Sequence, residues 1–191
     1  AWNGLMLRTL AEAACSLNRV DYKEAAMANG AFLLKEMYKS GRLMRTYRQG
    51  QARHQAYLED YSSLIDGLLA LYEATFQRKW LDEARSLTDQ MIDLFWQDTD
   101  SSFFDTANDH EKLMMRPRDF FDNAMPCGSS IAADVLLRMG SFTGEAIYSS
   151  LAYSALRPMD QLVQRYPGGF GHWLCALDYY TSTPKEIAII G

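Results

Sequence analysis

The feature that most constrains the fold of this chain is a helical hydrophobic periodicity that extends over most of its 191 residues. Apolar side chains recur every three or four positions, which is the spacing that places them on one face of an α-helix. Clear stripes run over residues 58–76 and 80–95, and a short turn joins them. Another stripe starts from Leu5 and ends at Leu17, and other stripes pair in the same way, so the sequence predicts an all-α chain of stacked helical hairpins.

A repeat within the chain indicates how the hairpins are arranged. Asp21 and Glu24 have the spacing of a capping box that starts a helix. The same unit returns at residues 79–84, where Trp80 matches Tyr22. Such hairpins cannot bury their apolar faces alone and therefore stack, either as an open solenoid or as a closed (α/α) toroid. Long loops follow every second helix, which favours the toroid, because a toroid gathers such loops at one mouth.

Composition excludes several classes of function. The net charge is −5, from 19 basic and 24 acidic residues, so we expect no nucleic-acid partner, because phosphate binding needs clustered Lys and Arg. No apolar run approaches the roughly 20 residues of a membrane-spanning helix, so no membrane contact is expected. Cys15, Cys127 and Cys175 form neither a CxxC motif nor a paired framework, which favours a reducing, cytoplasmic location. We expect no cofactor and no metal, since His110 lacks a second histidine at zinc-binding spacing.

Both ends of the sequence suggest a piece of a longer protein. The chain opens inside an apolar pattern, and it ends in an apolar run typical of a strand. We expect residues 1–184 to form about three helical hairpins and residues 185–191 to start a short terminal strand that leads into missing sequence. Residues 42–47 alternate weakly and are predicted to be extended. An incomplete toroid exposes apolar helix faces, so we expect this piece to self-associate.

The richest stretch for chemistry is residues 103–130, a non-periodic loop that holds five carboxylates, one histidine and two arginines. Loops of this length are uncommon in compact domains and are often functional. Carboxylates close to Arg and His acquire different pKa values, as acid–base catalysis requires. From this loop and the start of the predicted helix at residues 58–76, the candidate catalytic residues are His110, Asp60, Asp119, Asp122 and Glu111. The alternative is a solvated loop held together by Arg–carboxylate pairs.

A second set of residues is predicted to bind a substrate. Arg116 or Arg118 has the charge to stabilise an enediolate oxygen, and Asp109 precedes the candidate base His110. Trp2 fits either a sugar-stacking platform or an ordinary core residue, and the core interpretation is favoured. The candidate substrate-binding residues are Trp2, Asn3, Asp109, Arg116, Arg118 and Ser129.

Seven short segments resemble the YyaL/spermatogenesis-associated protein 20 family in the right order and over nearly the whole chain. They are residues 1–6, 58–61, 66–74, 103–106, 109–111, 116–119 and 122–126. The resemblance implies an (α/α)6 toroid of the six-hairpin glycosidase type, similar to N-acylglucosamine 2-epimerases and cellobiose 2-epimerases. It also implies that this chain is the later half of the toroid. A thioredoxin-like domain and the early hairpins of the same protein would then precede it as partners.

The sequence departs from the family's pattern in two places. The family usually has Pro-Ser-Gly-Asn-Ser where residues 126–130 are Pro-Cys-Gly-Ser-Ser, so Ser129 replaces an amide that offers both a donor and an acceptor. Relatives among the epimerases use paired histidines as bases. Here only His110 lies in a matching motif, whereas His54 and His172 have no obvious counterpart.

Two function hypotheses follow from these residues. The first is a carbohydrate-active toroid, either a sugar epimerase or isomerase or a glycoside-processing enzyme that pairs Asp60 with Asp119 or Asp122. The second is a non-catalytic helical scaffold that binds a glycan or a partner and is attached to a thioredoxin-like domain. A catalytic toroid is expected to collect Asp60, His110, Asp119 and Asp122 in one mouth. A scaffold is expected to scatter them into surface ion pairs.

Overall fold

The structure is a computed structural model that describes residues 1–110 and 115–182. Its helices are α1 (Trp2–Ser16), α2 (Val20–Phe32), α3 (Leu58–Thr75), α4 (Arg78–Phe95), α5 (Gly128–Thr143), α6 (Ala146–Leu156), α7 (Asp160–Arg165) and α8 (Gly171–Thr181). A π-helical turn at Leu33–Met37 extends α2. The predicted all-α chain of hairpins is confirmed, while the predicted strand at residues 185–191 lies outside the described residues. None of the helices in the described ranges has the length and apolar character needed to cross a membrane.

The helices form two layers. The inner helices α1, α3, α5 and α8 pack side by side in that order, and α2, α4 and α6 each pack against the inner helix that precedes them in the chain. Turns of two or three residues join each inner helix to its outer partner, at residues 17–19, 76–77 and 144–145. Long connections lead from each outer helix to the N-terminal end of the next inner helix. This is the loop distribution that the sequence predicted for a toroid mouth.

Two small sheets lie within the long connections. β1 (Tyr38–Lys39), β2 (Arg42–Arg48) and β3 (Gln51–Gln55) form an antiparallel sheet between α2 and α3. β4 (Trp96–Gln97) pairs with β5 (Ser102–Phe103) directly after α4. Strand β2 confirms the predicted extended segment at residues 42–47.

Two glycines set the close approach of α1 to α3. A Cβ atom at Gly4 would lie 2.5 Å from the carbonyl carbon and oxygen of Ser63, and one at Gly67 would lie 2.8 Å from the carbonyl oxygen of Gly4. Both distances are too short for real contacts, because protein interiors are close-packed and backbone atoms cannot yield cheaply. The two helices therefore start side by side at the mouth.

A buried carboxylate joins three of the inner helices. Asp66 on α3 is 1% exposed and accepts hydrogen bonds from Arg8 on α1 at 2.8 Å and from Arg138 on α5 at 2.6 Å. Charge-assisted hydrogen bonds of this kind are short and directional. They fix the spacing of α1, α3 and α5 about halfway along their lengths.

Three local predictions are wrong. α2 begins at Val20, one residue before Asp21, and the Asp21 carboxylate pairs with Arg19 at 2.6 Å instead of capping the helix. Leu17 lies beyond the end of α1 and is 63% exposed. Phe76 takes a left-handed conformation that ends α3, and its side chain is 82% exposed.

Candidate functional site

A cavity of about 690 Å³ opens where the N-terminal ends of α1, α3 and α5 meet. Its wall also includes β2 and the loop between β5 and α5. Its ionisable and aromatic lining residues are Trp2, Arg45, Tyr57, Glu59, Asp105, Asp119, Phe121 and Cys127. The volume lies within the range of sites that bind small molecules, which is roughly 300–1,000 Å³.

Asp105 is the carboxyl group in this cavity whose pKa is most clearly shifted. Burial raises the pKa of Asp105, and the nearby carboxylates of Asp119 and Glu59 raise it further, against a lowering by the hydrogen bond from the Asp119 backbone. Its own backbone is fixed, since its N–H donates to Pro117 and its carbonyl accepts from Leu58, both at 3.0 Å. A carboxyl that keeps its proton to higher pH beside other carboxylates is a typical arrangement for acid–base chemistry.

Arg45 brings a positive charge to the same wall from strand β2. Its guanidinium donates to Asp60 at 2.9 Å and forms an ion pair with Glu59 at 2.8 Å. The guanidinium also lies 4.6 Å from the ring centroid of Tyr57, within the range of a cation–π contact. Arg45 is therefore already engaged by two carboxylates and an aromatic ring.

Asp60 lies beside the cavity but is not part of its lining. Its side chain is 6% exposed and accepts from the backbone N–H of Tyr57 at 3.0 Å, as the acidic member of a capping box at the start of α3. The same carboxylate accepts from Arg45 and contacts the backbone nitrogen of Ala1. In this structure Asp60 caps a helix and anchors Arg45.

Asp122 joins the N-terminal ends of two inner helices. Its Oδ1 accepts from the backbone N–H of Cys127 at 2.9 Å and from the hydroxyl of Ser130 at 2.6 Å, both at the start of α5. Its Oδ2 accepts from the backbone N–H groups of His172 at 2.8 Å and Trp173 at 3.2 Å, at the start of α8. Carboxylates are favoured at these positions because the first N–H groups of a helix lack partners within it.

Residues 126–130 lead into α5 and cap its N-terminal end. Cys127 is the N-cap residue, and its sulfur accepts from the backbone N–H of Ser130 at 3.4 Å. Burial raises the pKa of the Cys127 thiol to about 11, so the thiol stays protonated at neutral pH. Ser129 is 1% exposed, does not line the cavity, and its hydroxyl has no hydrogen-bond partner among the described residues.

The first two residues of α1 differ in their relation to the cavity. Trp2 is 77% exposed and belongs to the lining, so the interpretation of Trp2 as a core residue is wrong. An exposed indole in a cavity wall is a suitable platform for stacking against a sugar ring. Asn3 is exposed outside the lining, and its carbonyl accepts from the side chain of Asn29 at 3.3 Å.

Of the predicted acid–base motif at residues 109–111, His110 contacts the cavity wall from outside the lining. The ring of His110 packs edge-on against Tyr57, with centroids 5.4 Å apart. Asp109 forms an ion pair with Arg42. Glu111 lies outside the described residues.

The two loop arginines stabilise the loop and do not line the cavity. Arg116 and Arg118 lie 4.0 Å and 3.9 Å from the ring centroid of Phe104. Arg116 donates to the carbonyl of Thr106, and Arg118 pairs with Asp100. Desolvation and the charge of Arg118 lower the pKa of Arg116.

Of the predicted site residues, the structure brings Trp2 and Asp119 together in the cavity. Sequence reasoning did not assign a site role to Arg45, Tyr57, Glu59 or Asp105. Glu59 is adjacent to the predicted Asp60, and Asp105 was counted among the carboxylates of the loop. Both could therefore have been predicted from the sequence pattern. Arg45 could not have been predicted, because a basic residue on an exposed strand does not by itself indicate a binding site.

Comparison with curated proteins identifies the relatives of this chain. It is 33% identical over its whole length to spermatogenesis-associated protein 20 of Homo sapiens and 32% identical to that of Mus musculus. The chain is a homologue of spermatogenesis-associated protein 20. It spans 26% of the length of these relatives, and it is also 25% identical to an uncharacterized protein of Caenorhabditis elegans. No protein-family model matches the chain.

A solved structure shares the fold of this chain. Cellobiose 2-epimerase from Spirochaeta thermophila is similar with a TM-score of 0.65, over 82% of this chain and 41% of the epimerase. The two are 15% identical, so the likeness concerns the fold alone. The epimerase is an (α/α)6 toroid, and the predicted toroid is confirmed in preference to an open solenoid.

Proposed function

We propose that the mouth cavity binds a carbohydrate and that its carboxylates perform acid–base chemistry on it. The observation that carries the proposal is the presence of Asp105, Asp119 and Glu59 in one cavity that also exposes Trp2. The name of the structural neighbour, cellobiose 2-epimerase, supports a sugar as the substrate class. We propose this activity for the full-length protein, because the curated relatives are about four times as long as this chain.

Each of these residues has a role that follows from its surroundings. Asp105 is the proton donor, because its raised pKa keeps it protonated to higher pH than an ordinary aspartate. Asp119 is the base, because its side chain is exposed and one of its two oxygens, Oδ1, accepts from the backbone N–H of Phe121 at 3.0 Å. Trp2 stacks on the sugar ring and orients it.

Two reactions use such a pair of groups. In glycoside processing, the acid protonates the leaving oxygen while the second carboxylate acts as base or nucleophile. In epimerisation beside a carbonyl, a base removes the C2 proton and an acid returns a proton to the opposite face. The two reactions leave different products, so one experiment separates them.

The test is to incubate the full-length protein with cellobiose, mannobiose or N-acetylglucosamine in D2O and to follow the sugar by NMR. Loss of the C2–H signal identifies epimerisation, and new reducing ends identify glycoside processing. We expect one of these with the natural protein and a fall of about 10²- to 10⁴-fold in Asp105→Asn, the usual contribution of a positioned acid.

Asp93→Asn is the matched control, since Asp93 is exposed on α4 and is not part of the mouth cavity. It removes the same charge and should retain full activity. Absence of any reaction with these sugars, or full activity in Asp105→Asn, would overturn the catalytic proposal.

A second candidate is a non-catalytic module that binds a glycan or a partner and is attached to a thioredoxin-like domain. It is favoured by the use of Asp60 and Asp122 as helix caps and by the surface ion pairs of Asp109 and Arg118. It predicts sugar binding without turnover in the same NMR samples. The thioredoxin-like domain, self-association and a cytoplasmic location stay predictions.

A further inference from the structure

The charges that line the mouth cavity are unbalanced. Among the described residues, the lining holds the carboxyl groups of Glu59, Asp105 and Asp119 and a single cation, Arg45. If Asp105 keeps its proton, two carboxylates still face one guanidinium. The sign of the cavity is therefore negative whichever form Asp105 takes.

Helix ends are the other source of charge at this mouth. The N-terminal ends of α1, α3 and α5 line the cavity, and a helix N-terminus carries a partial positive charge of roughly half a unit. Left uncapped, these ends would attract an anion.

Two of these ends, and that of α8 beside them, are already neutralised by carboxylates of the chain. Asp60 caps α3 through the backbone N–H of Tyr57, and Asp122 accepts from backbone N–H groups at the starts of α5 and α8. These two carboxylates occupy the positions that a phosphate or a carboxylate ligand would otherwise take. The structure has placed protein anions where an anionic substrate would bind.

Arg45 does not offset this arrangement. Its guanidinium forms ion pairs with both Glu59 and Asp60 and lies against the ring of Tyr57. An arginine with these partners has little capacity left to hold a ligand anion, because its planar donors are already directed to carboxylates.

We propose that the mouth cavity selects sugars that carry an ammonium group over neutral sugars, and that it rejects sugars that carry a phosphate or a carboxylate. The cavity with Trp2 defines the site, and its charges define the selectivity. The selectivity rests on the proposed carbohydrate function but has its own readout. An ammonium group also gains from the exposed indole of Trp2, whose face attracts cations.

The experiment compares two series of probes on the full-length protein by ligand-observed NMR. The first series is glucosamine, glucose and glucuronate. The second is cyclohexylamine, cyclohexanol and cyclohexanecarboxylate, which carry the same three charge states on a ring that is not a sugar. We expect the amine to bind on the order of tenfold more tightly than the neutral probe in each series, as a small net charge at close range predicts. The acid should bind more weakly by a similar factor.

Salt and a charge-removing variant give independent checks. The preference should shrink between about 0.1 M and 1 M salt, because the screening length falls from roughly 10 Å to 3 Å. Asp119→Asn keeps an acceptor for the Phe121 N–H and removes one charge, so it should reduce the preference severalfold. Asp93→Asn removes a charge outside this cavity and should leave the preference unchanged.

The outcomes separate the two proposals. Equal binding of the three sugars, or tighter binding of glucuronate, would overturn the selectivity while leaving the carbohydrate function standing. Charge-ordered binding of the cyclohexyl probes without any sugar binding would support the selectivity and overturn the carbohydrate function. Absence of binding in both series would overturn both.

Discussion

Replacing Asp122 with alanine tests whether this carboxylate holds the mouth together or takes part in catalysis. The change removes four hydrogen bonds, two at the start of α5 and two at the start of α8. Loss of a helix cap costs about 0.5–2 kcal/mol, so two capped helices predict a loss of about 1–4 kcal/mol in the free energy of unfolding. Asp122→Asn keeps one acceptor oxygen and should lose about half as much.

The assay is urea unfolding of the full-length protein together with amide hydrogen exchange. We expect faster exchange at the backbone amides of Cys127, His172 and Trp173, which donate to Asp122, and unchanged exchange at Trp80 on α4. Asp21→Ala is the matched control, because that carboxylate is exposed and pairs only with Arg19 among the described residues.

A double-mutant cycle with Ser130→Ala isolates one of these bonds. Asp122 and the Ser130 hydroxyl are 2.6 Å apart, so a coupling of about 1 kcal/mol is expected. Full stability and unchanged exchange in Asp122→Ala, combined with lost turnover, would refute the capping role and restore Asp122 as a catalytic residue.

Three further predictions concern the packing, the acid and the platform. Gly4→Ala should destabilise the protein by about 1–3 kcal/mol in urea unfolding, because its Cβ would lie 2.5 Å from the backbone of Ser63, and an unchanged midpoint would contradict the close approach. Asp105→Asn should raise the melting temperature at neutral pH. The raised pKa of Asp105 in the folded state means that folding favours the protonated carboxyl. The stabilisation that Asp105 contributes is therefore present below the ordinary aspartate pKa and is lost as the pH rises through the folded-state pKa. The gain should therefore vanish in melts at acid pH, and a gain that persists there would contradict the pKa shift. Trp2→Ala should leave unfolding unchanged and weaken sugar binding about tenfold in NMR titrations, whereas Phe76→Ala, at an equally exposed ring outside the cavity, should affect neither.

Helical periodicity predicted the fold because burial of apolar stripes is a local, repeated property. The stripes over residues 58–76 and 80–95 became α3 and α4, and the long connections came to the mouth as expected. The errors fall at helix ends. Leu17 and Phe76 continue the apolar spacing but lie just beyond their helices, where chain geometry rather than periodicity decides exposure.

The site was harder to predict because one residue type serves two purposes. Asp60 and Asp122 have the chemistry of catalytic carboxylates, yet the same chemistry makes them good helix caps, and only the positions of the N–H groups distinguish the two roles. Asp105 gains its shifted pKa from burial and from neighbours distant in sequence, such as Glu59. Neither the burial nor the approach of these neighbours can be read from the local sequence pattern.

The most direct test of the proposed sugar site is a crystal structure of the full-length protein with a bound sugar, cellobiose or glucosamine. We expect a sugar ring stacked on Trp2 with hydroxyl or ammonium groups within hydrogen-bond distance of Asp105 and Asp119. A sugar bound elsewhere in the toroid, with the mouth cavity empty or filled by another segment of the protein, would contradict it.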